Sequence, residues 1–181
     1  MKKYFLIFLI FLIIITFNIQ TQAWEGLITS IGQNPGGLMI KVSLKDLDLN
    51  YVYNPKIKSE ELENYQFAIL SVGCSQKGLC AADTNFKCEL QRTKNIIEVM
   101  KKSNYPIIFV HLGGQLRRDL RSNELIEVIA PHASHLVITE KSNYDNYFSE
   151  LSENQNIGLH IIDNLSHIKN VFTEVFEKYK F

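Results

Sequence analysis

The sequence predicts an α/β domain, a doubly wound parallel sheet forming three layers with helices on both faces. Short apolar runs alternate with longer amphipathic ones. Several of the runs are apolar throughout, as strands covered on both faces tend to be. Glycines and polar residues gather after the runs, which places them together at the carboxyl end of a parallel sheet. The flavodoxin-like strand order 2-1-3-4-5, with a sixth strand added at the edge, is the preferred topology. The Rossmann order 3-2-1-4-5-6 is the alternative. The two are distinguishable, because the first puts residues 75–78 beside 32–36 and the second puts 111–118 there.

The chain opens with a segment that is not part of this fold. Met1-Lys2-Lys3 is a short basic region before the apolar run "YFLIFLIFLIIITF" at 4–17, and "NIQTQA" offers small residues at Thr21 and Ala23. Cleavage before Trp24 fits a secretory signal, so residues 1–23 are read as a signal peptide and 24–181 as a single exported domain, periplasmic or extracellular. The run is short for a bilayer span of roughly 20 residues. Contact with a membrane is therefore expected only through an uncleaved segment. No cysteine sits at the cleavage point for lipoprotein processing.

Six runs read as strands: 27–31, 51–53, 67–72, 106–111, 135–139 and 159–162. Between them, Leu90, Ile96, Ile97 and Met100 share one face of 84–103. Leu125, Ile126 and Ile129 do the same before Pro131 stops their helix. Ile168, Phe172, Val175, Phe176 and Tyr179 line the last helix, with Ser166 as its expected N-cap. The link 54–66 has room for about two helical turns at "SEELENY".

Composition excludes several functions. Without Lys2 and Lys3 there are 17 basic and 19 acidic residues, a formal charge of −2, and no basic stripe for nucleic acid. Cys74, Cys80 and Cys88 form an odd set, spaced like no common zinc motif, so a disulfide and three free thiols are both open. His132, His135, His160 and His167 are scattered and are assigned no metal.

The candidate site lies in three turns. In "TSIGQNPGGLM", Pro35 suits the first position of a helix and Asn34 its N-cap. Gln33, Asn34 and Gly36 are then contacts for an anion at the helix end, although the stretch matches neither GxGxxG nor a P-loop. The alternative is a tight strand-to-helix turn and nothing more. Ser75 and Lys77 could bind from the second turn. In "HLGGQLRR", Gly113 and Gly114 permit close approach, while Arg117 and Arg118 can fork onto a carboxylate or phosphate or else pair with Asp119 or Glu124. Exposed arginines would affect stability little. His111, ending a strand, is a weak catalytic candidate. Ser142 and Asp145 read as a capping box.

Three functions follow. The first is a small-ligand domain for an anionic compound at the sheet's carboxyl rim. The second is a hydrolase or transferase using His111 as base, with Arg117 and Arg118 stabilising negative charge. The third is a structural or partner-binding domain. A Cys74–His111 nucleophile pair lacks a third residue to orient the histidine. No motif specifies a cofactor, and flavin has only fold analogy behind it.

The pieces "GQNPGGLMIKV", "NYVYNP", "VGCSQKGLCAA", "PIIFVHLGGQLRR" and "LIEVIAPHASHLVI" together resemble an exported bacterial domain family of unknown function, over about residues 27–140 and more loosely to the C-terminus. The resemblance implies a signal peptide, one Rossmann- or flavodoxin-like domain and export, but no reaction. Cys74 and Cys80 stand where that family usually has Ala or Gly, which weakens a cysteine nucleophile further.

Overall fold

The computed structural model describes residues 25–179, so the apolar leader lies outside it. Six strands form one sheet in the order β2-β1-β3-β4-β5-β6, with every neighbouring pair parallel. They are β1 Gly26–Ile31, β2 Tyr51–Tyr53, β3 Phe67–Val72, β4 Ile107–His111, β5 His135–Thr139 and β6 Gly158–Ile162. This is the flavodoxin-like order with its sixth strand at the edge. Its marker contact is present too: the Ser75 N–H donates to the Gly32 carbonyl at 2.8 Å.

The helices are α1 Gly36–Leu44, α2 Gln76–Ala81, α3 Phe86–Lys102, α4 Leu120–Ile129, α5 Tyr147–Gln155 and α6 Ile168–Tyr179. Strand alternation sorts the core into two layers. Leu27, Leu70, Phe109 and Leu136 point to the face covered by Ile96 and Met100 of α3, Ile126 of α4 and Phe148 of α5. Ile28, Ile69, Ile108 and Val137 point to the other face, covered by Ile40 of α1 and Phe172 and Val175 of α6. β1, β3 and β4 are buried along their whole length, and this two-sided burial accounts for their largely apolar sequences. The 54–66 link carries a 3-10 turn, Ser59–Asn64, whose Leu62 is buried in the first layer.

Local starts differ from the sequence reading in three places. Helix α1 begins at Gly36, with Pro35 at the cap position; Asn34 caps from one residue further back, its Oδ1 accepting the Gly36 N–H at 2.8 Å. Ser166 does not cap α6: Asn164 accepts the Ser166 N–H, and a 3-10 turn at Leu165–His167 precedes the helix. Ser142 and Asp145 form no capping box. The Ser142 hydroxyl reaches the Gly113 carbonyl, while Asp145 pairs with Arg118. The partners of Ser142 and Asp145 are distant in sequence, which local spacing does not reveal. All three cysteines are unbridged, Cys74 half-buried and the other two exposed.

Candidate functional site

The chain runs outward from β1 to β2 and then returns to place β3 on the other side of β1. The connections that follow β1 and β3 therefore lead to helices on opposite faces of the sheet, and a crevice opens between them, as the topology of open α/β sheets requires. It is a cleft of about 230 Å³ whose lining includes Asn34, Gly36, Gly73, Cys74, His111 and Arg117. Four of the residues singled out in the sequence, Asn34, Gly36, His111 and Arg117, thus meet in one place. Gln33, Ser75, Lys77 and Arg118 are not among the lining residues.

The first wall is built by Asn34. Its Nδ2 donates to the Ile31 and Ser71 carbonyls at 3.0 and 2.8 Å, and its Oδ1 accepts from Ser71 Oγ and the Gly36 N–H, each at 2.8 Å. Every polar atom of this amide is used, so it holds α1 against the sheet. The glycine pair has a packing reason of its own. A Cβ on Gly36 would lie 2.3 Å from Ser71 Oγ, and one on Gly37 would lie 2.5 Å from Ser30 Oγ. The turn of 29–39 is therefore a close docking of helix on sheet first of all.

Gln33 is turned away from the cleft. It sits at φ 52°, with Nε2 donating to the Pro55 carbonyl at 3.0 Å and lying near Glu89. Glu89 is a functional-looking residue that the sequence reading missed. It is 2% exposed, accepts the Gly32 N–H at 2.7 Å and pairs with Arg92 at 2.6 Å. Arg92 in turn donates to the Ser30 and Ile57 carbonyls. This pair pins the first turn from below and does not line the cleft. The Glu-x-x-Arg spacing on one helix face was a signal that could have found it.

In the second turn, Ser75 caps α2 by accepting the Gly78 N–H at 3.1 Å, and Lys77 is exposed on that helix. Cys74 lines the cleft, its N–H donating to Ser122 Oγ at 2.9 Å. Burial, then the negative charge of Asp119, push its thiol above the ordinary value, which keeps it protonated and a poor nucleophile.

The third turn brings His111 to the cleft. His111 is 1% exposed and places Nδ1 2.8 Å from the Val72 carbonyl. A carbonyl only accepts, so Nδ1 bears the proton, and the neutral ring leaves a lone pair on Nε2. Burial, with Arg118 and Arg117 adding to it, holds the imidazole below its usual pKa and hence neutral, against the opposing Val72 bond and Asp119. Among the described residues Nε2 is buried with no hydrogen-bond partner. The Arg117 stem lies beside it: a Cβ on Gly113 would sit 2.4 Å from Arg117 Cβ and 3.3 Å from His111 Nε2.

The two arginines part company. Arg117 is exposed on the cleft wall and enters no ion pair among the described residues. Arg118 is only 8% exposed, correcting the expectation of an exposed pair. It meets Asp145 rather than Asp119 or Glu124, at 2.9 Å, and donates to Asn123 and the Ser142 carbonyl at 2.6 and 2.8 Å. Its guanidinium lies 4.9 Å from the Phe148 ring centroid. Asp119 instead caps α4, accepting the Ser122 N–H. Lys77, Arg117 and Arg118 do not converge on one cleft: Lys77 lies exposed on α2, and Arg118 is held by Asp145.

Residues 25–176 match the profile of a family described as a domain of unknown function (DUF6305). A search of curated proteins returns no match. Among solved structures, a mutant of the esterase AlinE4 is similar at 8% identity over 77% of this chain and 76% of that one. Its TM-score of 0.33 is too low to bear on function.

Proposed function

Because the chain belongs to the DUF6305 family, whose description assigns no reaction, we propose its function from the rim itself: an exported domain that binds a small anionic compound in the cleft between the ends of β1, β3 and β4. The observation that carries this reading is the juxtaposition of His111 Nε2, a buried acceptor, and Arg117, a cation, neither of which has a partner among the described residues. An unsatisfied buried acceptor costs about 1–3 kcal/mol, a cost a ligand's O–H or N–H would remove. The compound that suits both groups carries negative charge for Arg117 and a hydrogen for His111. A phosphate monoanion or a hydroxylated carboxylate has both.

Titration of the purified protein with inorganic phosphate and with glycolate tests the reading. Binding should weaken as salt rises. Arg117→Ala should weaken it about tenfold or more while moving the thermal midpoint little, since the side chain is exposed. Normal binding by that variant would sink the anion site. Export is tested separately, by the intact mass of protein recovered outside the cytoplasm, which should begin at Trp24.

The same lone pair supports a second reading, a hydrolase or transferase with His111 as general base. In that reading Arg117 alone would meet developing negative charge, because Arg118 is already engaged with Asp145. Turnover of a phosphate or carboxylate ester that disappears in His111→Gln, with ligand affinity retained, would favour the enzyme over the binding domain.

A further inference from the structure

We propose that the ligand is an amphiphile, an anionic head in the cleft with an alkyl chain lying across the neighbouring surface; this deepens the anion-site reading and rests on it. Arg117 is bracketed by two leucines that are almost fully out in water, Leu116 in the turn after β4 at 96% and Leu120 at the start of α4 at 89% exposure. Single exposed apolar residues are ordinary. Two so extreme, on either side of the unpaired cation of a candidate site, are not. The surface around them is continuous with the cleft. Leu112 and Arg117 line both the cleft and an adjoining trough of about 580 Å³, whose walls include Leu116 and Tyr144. On the other side Cys74 is shared between the cleft and a second depression lined by Leu120. Met39, 40% exposed, completes the apolar edge from α1.

Charge complementarity decides the occupant. A purely apolar partner would leave Arg117 desolvated and His111 Nε2 unsatisfied, whereas inorganic anions alone would leave the leucines in water. A head with anionic oxygens and one O–H, followed by an alkyl chain, answers both requirements. The cleft has room for the head, and the open trough covers a chain on one side.

The test uses inorganic phosphate and butyl, hexyl and octyl phosphate, each below its critical micelle concentration, titrated into the purified protein by calorimetry. Affinity should rise about twofold per methylene, as expected for a chain covered on one side only. In Leu116→Ser/Leu120→Ser the dependence on chain length should flatten, with the thermal midpoint kept, since both side chains are exposed. Equal affinity for phosphate and octyl phosphate would overturn the amphiphile and leave the anion site standing. No binding of any of the four would overturn both. Three other results would also overturn the proposal: unchanged chain-length dependence in the double variant, binding to anionic vesicles but not to monomeric octyl phosphate, or a dimer that the double variant abolishes.

Discussion

A guanidinium carries five donors in a fixed fork, and Arg118 places its fork where Asp145, Asn123 and the Ser142 carbonyl can all accept. Removing it would strand partners in a largely dry site. Arg118→Ala should cost about 2–3 kcal/mol, less than the ~3–5 of a fully buried pair because Asp145 is 36% exposed. Urea denaturation checks the figure, and Arg118→Lys should recover little, since an ammonium cannot fork. The sequence showed two adjacent arginines as equals because the partner that separates them lies 27 residues away. Histidine pairing was hidden in the same way: His135 and His160, read as scattered, face each other from adjacent strands with Nδ1 and Nε2 3.1 Å apart. Burial, then the charge on His160 and Lys178, lowers His135 from 6.5 to about 4. A His whose folded pKa is depressed stabilises the fold fully above its unfolded pKa. That contribution is lost as pH falls from 6.5 towards 4, up to about 3 kcal/mol for this group. His135→Asn should therefore show a shallower loss of thermal midpoint than wild type between pH 7.5 and 4.5, and parallel curves would refute the assignment.

Helix α1 sets intrinsic propensity against packing. Alanine is preferred over glycine in a helix by about 1 kcal/mol, so on propensity alone Gly36→Ala would stabilise the protein. Its Cβ would however stand 2.3 Å from Ser71 Oγ, inside the Asn34 network that holds the helix to the sheet. Overpacking of this kind costs about 1–3 kcal/mol, so the variant should be net destabilised, as thermal unfolding would read directly. A rise in midpoint would mean that the helix is less tightly docked than described. Elements of this kind were legible as types. The apolar runs marked all six strands, and the helical faces of 84–103 and of Leu125, Ile126 and Ile129 held because each buries one stripe. Ser30 and Ser71 read only as strand residues and Gly36 and Gly37 only as a turn, since a close approach between two elements is invisible in either one alone. Caps slipped by a residue or two for a related reason. Asn34 and Asn164 each reach two residues ahead, which makes the preceding turn part of the helix start.

At the scale of the whole molecule, alternating strands and helices with right-handed crossovers narrowed the strand order to two arrangements, and the flavodoxin-like order is the one found. It also dictates where stability is concentrated. Strands β3 and β4 are flanked on both sides and covered on both faces, with Ile69, Leu70, Phe109 and Val110 all at most 1% exposed. β2 is three residues long, pairs with β1 alone, and leaves Val52 37% exposed. Opening β2 breaks one short ladder, whereas opening β4 requires both core layers to part. In native-state hydrogen exchange the amides of Ile69, Leu70, Phe109 and Val110 should exchange only through global unfolding, with Tyr51–Tyr53 exchanging through local opening at much lower free energy. The cleft is bounded by the ends of the protected strands, so a ligand bound there stabilises the native state as a whole. At a hundred times its Kd it should slow the β3 and β4 amides by about 2.7 kcal/mol in free energy, and leave β2 nearly unchanged because that opening does not disturb the cleft. Equal slowing of β2 and β4 would place the ligand at the β2 edge, away from the crevice between β1 and β3. Failure of the β4 amides to slow at all would mean that the cleft is not where the ligand binds.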